Sequence, residues 1–200
     1  IAMRSQLLGA HINNINNFLV ITGDPIPSMV RSSVKSVFNF DSVGLMNIIS
    51  DMNQDQFADK PVIYGGAINQ GRVNFKVELA RVKKKMEAGA TFFMTQPVFS
   101  DEDISRLRQI KEETGARILC GIMPFVSLRN ATFMKNEMTG INVTDEILAR
   151  YSADMTKEEG EETGIQIAKE IITKTSDFVD GYYFSFPFNR VHMLEKILNA

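Results

Sequence analysis

Short, continuously apolar runs recur along the chain, and longer stretches of helical period separate them. Phe18-Leu19-Val20-Ile21 ends in Thr22-Gly23-Asp24-Pro25, and Val62-Ile63-Tyr64 ends in Gly65-Gly66. Phe92-Phe93-Met94 ends in Thr95-Gln96-Pro97, Ile118-Leu119-Cys120 runs through Gly121 to Pro124, and Tyr182-Tyr183-Phe184 runs to Pro187. Apolar, β-favouring runs closed by Gly, Pro or a polar residue predict strands buried on both faces. Between them, Phe75, Leu79, Val82 and Met86 fall on one stripe of a helix, and Ile104, Leu107 and Ile110 form another. Leu7, Leu8 and Ile12 mark the end of a first helix, broken by the asparagine-rich stretch Asn13 to Asn17.

The boundaries of these helices are also readable. Gly89 and Gly115 each precede an alanine and then the next strand, where a left-handed C-cap suits glycine. Ser100 with Asp101 and Asp103, and Thr144 with Asp145, are N-cap patterns. Residues 128 to 176 carry helical signals and an acidic run, Lys157 to Glu162, and read as an enlarged helical connection before the last strand. Strands alternating with helices predict an α/β fold with a parallel sheet, either doubly wound or a (β/α)8 TIM barrel. The glycine fingerprints of nucleotide-binding doubly wound folds are missing from the sequence. Polar residues recur at strand C-terminal ends instead: Asp24, Asn69 and Gln96. In a barrel such positions converge on the catalytic mouth, and amides with one carboxylate suit recognition of a heterocycle.

Composition narrows the classes. With 22 basic and 24 acidic residues, nothing global steers the chain to nucleic acid. Its longest apolar runs fall short of the roughly 18 residues of a membrane span, so no membrane association and a cytoplasmic location are expected. One cysteine, Cys120, excludes an intramolecular disulfide framework, and the two histidines, His11 and His192, offer no metal-ligand cluster. Cys120 reads as a buried, inert thiol, the methionines as core filler, and His192 as a surface or packing residue. The chain opens on Ile1 inside a helical pattern and reads as a segment of something longer.

Six local strings together carry a resemblance. Thr22-Gly23-Asp24-Pro25, the glycine turn with Asn69, the run Glu78 to Ala90, Phe93-Met94-Thr95-Gln96-Pro97, Gly121-Ile122-Met123-Pro124 and Phe188-Asn189-Arg190 resemble methylenetetrahydrofolate reductases in order and spacing. With Val98 and Arg129-Asn130-Ala131, they are most similar to the reductase half of bacterial bifunctional proteins that also carry a homocysteine S-methyltransferase domain. The resemblance implies a TIM barrel with FAD at its mouth. Residues 1–200 would form one partial barrel domain, a C-terminal fragment with about five of eight βα units. The five strands would be the fourth to eighth, and the family's general-acid glutamate, on the first strand, would lie outside this sequence. The implied reaction is FAD-dependent reduction of 5,10-methylenetetrahydrofolate to 5-methyltetrahydrofolate with NAD(P)H, in one-carbon and methionine metabolism.

The resemblance also implies site residues. Asp24 corresponds to a catalytic and substrate-binding aspartate beside flavin and folate, where a carboxylate stabilises a cationic folate; by its own string it is equally a turn residue. Gln96 corresponds to a glutamine that hydrogen-bonds the pterin, Asn130 to an amide in contact with folate or nicotinamide, and Arg190 to an arginine that contacts substrate. Read alone, these are a strand-end cap, a helix N-terminal residue and a solvent-exposed arginine. Cofactor contacts are implied for Thr22, Gly23, Asp24, Phe40, Asn69, Glu78, Arg81, Lys84 and Lys85. Glu78, Arg81 and Lys85 would form a polar helix face opposite the apolar stripe, with basic groups near the FAD diphosphate; a solvated face is the plain alternative. Phe40 stands for a family tyrosine, Thr22 for an arginine, Asn69 for a histidine, Glu78 for an aspartate and Arg81 for an asparagine. A stacking aromatic aligns at Phe133 or Met134.

Without the strand that carries the general-acid glutamate the isolated chain is expected to be inactive, and a barrel short of three strands exposes sheet edges and apolar interior, so it is expected to form a homo-oligomer or to belong to a longer polypeptide. The rival readings are a cofactor-free, non-catalytic fragment that self-associates and a pterin-binding barrel without flavin.

Overall fold

The computed structural model describes residues 1–200 apart from Asp24, Pro25, Pro27, Arg31, residues 36–38, Thr139, Ala200 and the side chain of Ser28. The strands are β1 (Asn17–Val20), β2 (Ile63–Ile68), β3 (Phe92–Pro97), β4 (Ile118–Ile122) and β5 (Gly181–Phe184). The helices are α1 (Ala2–Ile12), α2 (Ser42–Gln54), α3 (Phe75–Glu87), α4 (Asp101–Thr114), α5 (Leu128–Glu137), α6 (Asp145–Ala149), α7 (Lys157–Thr175) and α8 (His192–Leu198). The five strands follow one another in chain order in one sheet. The alternation is that of the βα units of a TIM barrel, and the α/β class agrees with the sequence.

The chain divides into two compact units, Ile1–Ala67 with Ala80–Phe92 and Ile68–Leu79 with Phe93–Ala200. In the first unit β1 runs parallel to β2, from Asn17↔Ile63 to Val20↔Gly66. β2 is longer than predicted, because Gly65 and Gly66 lie inside it instead of ending it. The Phe92 carbonyl and ring leave no room beside Gly65, where a Cβ would sit 2.5 Å from both. Tyr64 Oη donates to the Ala88 carbonyl at 2.8 Å. It passes so close to Gly89, at φ +92°, that a Cβ there would lie 2.1 Å from the hydroxyl. Met46, Ile49 and Met52 of α2 are buried in this unit's core. β1 departs from the prediction: Leu19 is exposed and Ile21 lies beyond the strand, also exposed, so this strand is not buried on both faces.

In the second unit β3 pairs parallel with β4, and β4 with β5 from Leu119↔Gly181 to Ile122↔Phe184. Ser100 caps α4 by accepting from the Asp103 amide, and Gly115 closes it at φ +67°. Thr144 caps α6, and Thr156 with Glu159 forms a capping box at the start of α7. Thus the predicted helical region 128 to 176 is three helices, with the acidic run opening the third. Asp180 joins three elements: its carboxylate accepts from the Ile118 amide and from Lys111. Burial opposes its ionisation, but Lys111, the Ile118 amide and Arg117 outweigh burial and hold its carboxyl below the usual value.

α7 approaches the β4–α5 connection so closely that backbone meets backbone. A Cβ at Gly164 would lie 2.0 Å from the Phe125 carbonyl oxygen, and one at Gly160 would lie 2.3 Å from that of Val126. Gly164→Ala is therefore expected to destabilise the chain by about 1–3 kcal/mol in urea denaturation. Gly9→Ala, inside α1 with nothing within 4 Å of the added carbon, should be neutral or stabilising by up to about 1 kcal/mol. Equal midpoints for the two variants would contradict this packing.

Candidate functional site

Gln96 sits where β3 leaves its register with β4, between Met94 and Pro97. Bulges of this kind re-aim a side chain at a strand end. The irregular backbone is tied down by neighbours on every side. Thr95 Oγ1 accepts from the Gly121 amide at 2.9 Å and donates to the Gln96 carbonyl at 2.7 Å. Tyr183 Oη donates to the Thr95 carbonyl, and it reaches it over Gly121, where a Cβ would lie 2.6 Å from that hydroxyl. Burial pushes the Tyr183 hydroxyl above its ordinary value, so it stays a donor. The Gln96 side-chain amide, half-buried, makes no hydrogen bond to any described residue.

The loop after β2 is equally committed. Glu78, 2 % exposed, accepts from the Asn69 amide at 2.9 Å and pairs with Arg72 at 3.4 Å. Arg106 on α4 donates to the carbonyls of Gln70 and Arg72 and lies over the Phe75 ring. Asn69 Oδ1 is buried and has no hydrogen-bond partner among the described residues.

Asn130 and Arg190, also in the second unit, are partly engaged. Asn130 Oδ1 accepts from the Val126 backbone N–H at 3.3 Å, while the backbone N–H of Asn130 donates to Ser127 Oγ at 3.2 Å, a reciprocal cap at the start of α5. The helix-terminal reading of Asn130 is thus what its carbonyl end does. Arg190 Nη1 pairs with Glu161 Oε1 on α7, and His192 Nε2 lies 2.8 Å from Glu161 Oε2. One carboxylate from the acidic run therefore anchors both. Just before Arg190, Phe188 and Asn189 take left-handed backbone, φ 54° and 58°, a costly pair for non-glycine residues. Phe133 is exposed on α5 and Met134 is half-buried.

The remaining predicted residues belong to the first unit. Thr22 Oγ1 accepts from the Ser42 amide at 3.0 Å, helping Asp41 cap α2. Gly23 has φ +87° with open space around it, so its backbone angle, rather than crowding, requires glycine. Asp24 lies outside the described residues. Phe40 is 58 % exposed, and with Thr22, Arg4, Ile21 and Leu45 it lines a cavity of about 700 Å³, a volume typical of ligand sites. A cavity of similar size among Arg150, Asp154 and Glu159 contains none of the predicted site residues.

The helix α3 corrects one expectation. Glu78 and Lys85 do not lie on a solvated polar face: Lys85 is 4 % exposed and donates to the Ala67 carbonyl. Both form part of the buried side of the helix with Val82, because each satisfies a peptide group at the end of β2. Arg81 is half-buried and Lys84 exposed, and their side chains have no partner among the described residues. Glu78 and Lys85 are already spent on the fold.

The family model for methylenetetrahydrofolate reductase matches residues 1–199. The chain belongs to the methylenetetrahydrofolate reductase family. No curated protein matches it. Among solved structures it is similar to an uncharacterized protein from Clostridium thermocellum that binds two copies of 5-methyl-5,6,7,8-tetrahydrofolic acid. The identity is 15 %, the TM-score 0.55, and the match covers 90 % of this chain and 70 % of that one. It is also similar to a monomeric dihydrodipicolinate synthase variant, at 13 % identity and TM-score 0.45 over 96 % of this chain and 59 % of that one. The first likeness shows a shared fold; the second score is too low to do so. Family membership makes this a chain of an oxidoreductase family of folate metabolism.

Sequence reasoning missed Gln70, Thr95, Tyr183 and Glu161. Thr95 lay within a noted string and Glu161 within a noted acidic run, but partners 26 to 88 positions away leave no local signal. Helix α2 could have been found from Asp41 and the spacing of Met46, Ile49 and Met52. Among the described residues no group of three His, Cys, Asp or Glu is placed to hold a metal, and no helix is long and apolar enough to cross a membrane. Cys120 is buried, and burial pushes its thiol up to about 12. The native chain should therefore resist iodoacetamide at pH 8 and react once unfolded; rapid native labelling, read by intact mass, would contradict this environment.

Proposed function

We propose that this chain serves, in the intact protein, the FAD-dependent reduction of 5,10-methylenetetrahydrofolate to 5-methyltetrahydrofolate with NAD(P)H. The observation that carries the reading is the Gln96 amide, without a partner among the described residues and set on a fixed strand end, in a chain matched along residues 1–199 by the reductase family. A side-chain amide offers one acceptor and two donors, which suits the edge of a pterin. Arg190 would pair with a carboxylate of the folate tail through the donors that Glu161 leaves open, and Asn130 Nδ2 would supply a further donor. Asp24 would balance positive charge developing on the folate.

FAD, when bound, would supply hydride transfer between the nicotinamide and the folate methylene group. Arg81 and Lys84 would neutralise its diphosphate, and Phe40 would lie along its aromatic part beside Thr22 and Gly23. Lys85 and Glu78 would act indirectly, by holding the end of β2. The strings around Gln96, Gly121 and Asn130 further support a parent protein that also carries a homocysteine S-methyltransferase part. A folate-binding barrel without flavin is the second reading, favoured by the internal use of Glu78 and Lys85.

Titrating the chain with FAD, followed by quenching of flavin fluorescence, separates the two. Saturable binding is expected, and Arg81→Glu with Lys84→Glu should weaken it about tenfold or more, since each reversal puts like charge beside the diphosphate. Unchanged affinity would remove both cations from the cofactor site. No flavin binding with retained binding of 5-methyltetrahydrofolate would establish the second reading.

A further inference from the structure

We infer that Gln70 is a positioning residue for Gln96: it holds the strand-end peptide from which the Gln96 amide meets the pterin of a folate. The inference rests on the reading of Gln96 given under the proposed function. It adds a residue that touches no ligand yet determines where the contacting amide stands.

Gln70 is 1 % exposed and directly follows Asn69 in the loop after β2. Its Nε2 donates to the Gln96 carbonyl at 2.9 Å and to the Pro97 carbonyl at 3.3 Å. Its Oε1 accepts from the Gln96 amide at 3.1 Å. One side-chain amide thus grips both the N–H and the C=O of a single residue, as a neighbouring strand would in a ladder. It does so where β3 has slipped out of register with β4. The clamp is itself held from behind, because Arg106 Nη1 donates to the Gln70 carbonyl at 2.8 Å and to that of Arg72 at 3.1 Å.

The two glutamines divide the work. Every polar atom of the Gln70 side chain is spent on backbone, whereas the Gln96 side chain is spent on nothing among the described residues. A buried amide with all its bonds made fixes its surroundings in one arrangement. A half-buried amide without partners is available to a ligand. Fixing the Gln96 peptide in both position and rotation restricts where its side chain can reach, so the ordering cost is met before a ligand arrives. Without Gln70, the Gln96 N–H would lose its acceptor and the bulge would be free to re-register.

A double-mutant cycle tests this, with affinity of the chain for 5-methyltetrahydrofolate measured by calorimetry and folding checked by circular dichroism. Gln96→Met is expected to weaken binding about tenfold, and Gln70→Met, which keeps length and apolar volume, about fivefold. The double variant should bind within about twofold of Gln96→Met alone, because Gln70 acts only through Gln96. An unchanged affinity for Gln70→Met, or losses that multiply in the double variant, would overturn the positioning role while leaving Gln96 in place. An unchanged affinity for Gln96→Met, or a wild-type chain that binds no folate, would overturn the folate reading and this inference with it. Should Gln70→Met fail to fold, Gln70→Glu enters the same cycle. Buried against two carbonyls, its carboxyl is held in the neutral form, which keeps the acceptor for the Gln96 amide and one donor in place of two, and it is expected to give a smaller, equally non-additive loss.

Discussion

Peptide groups at the C-terminal ends of parallel strands lose their ladder partners while still inside the fold, and an unpaired buried peptide group costs about 1–3 kcal/mol. In this chain buried side chains take over that duty. Gln70 pairs with the Gln96 peptide, Glu78 with the Asn69 amide, Lys85 with the Ala67 carbonyl, and Tyr183 and Thr95 with the turn of β3 against β4. Everything else at the candidate site depends on this substitution of side chain for strand. It explains a charged pair of positions on the buried side of α3, and it explains why Gly121 must leave room for the Tyr183 hydroxyl.

The same duty sorts the polar residues into two groups with different chemistry. Glu78, Lys85 and Gln70 are consumed by the fold, and Thr22 and the carbonyl end of Asn130 cap helices. The side chains of Gln96, Arg81 and Lys84 and the buried Oδ1 of Asn69 have no hydrogen-bond partner among the described residues. Arg190 stands between the groups, tethered by one nitrogen to Glu161. Under the proposed function, a ligand reaching Gln96 would meet an amide on a backbone already fixed, which is how a scaffold lowers the ordering cost of recognition.

The alternation of strands and helices was legible because its signals are local. The apolar runs within β3, β4 and β5, the glycines 89 and 115 in left-handed backbone, and the caps at Ser100 and Thr144 stand where the sequence puts them. What failed needed long-range information. A helix wheel assigns Glu78 and Lys85 to a polar face by residue type alone, and only the carbonyl of Ala67 and the amide of Asn69 reverse the assignment. Gly65 and Gly66 read as a strand end until the Phe92 carbonyl and ring are known to lie against Gly65. The candidate site rests mainly on resemblance: in the sequence Gln96 is one of several polar strand-end residues, and Gln70 carries no signal.

The most direct measurement of this preorganisation is amide hydrogen exchange on the ligand-free chain, resolved at Asn69 and Gln96. If buried side chains hold these strand ends, both amides should exchange as slowly as those in the middle of β4, since they open only with the surrounding core. Exchange at the rate of an exposed loop would show that the strand ends are not held before a ligand binds, and the proposed clamp would be absent.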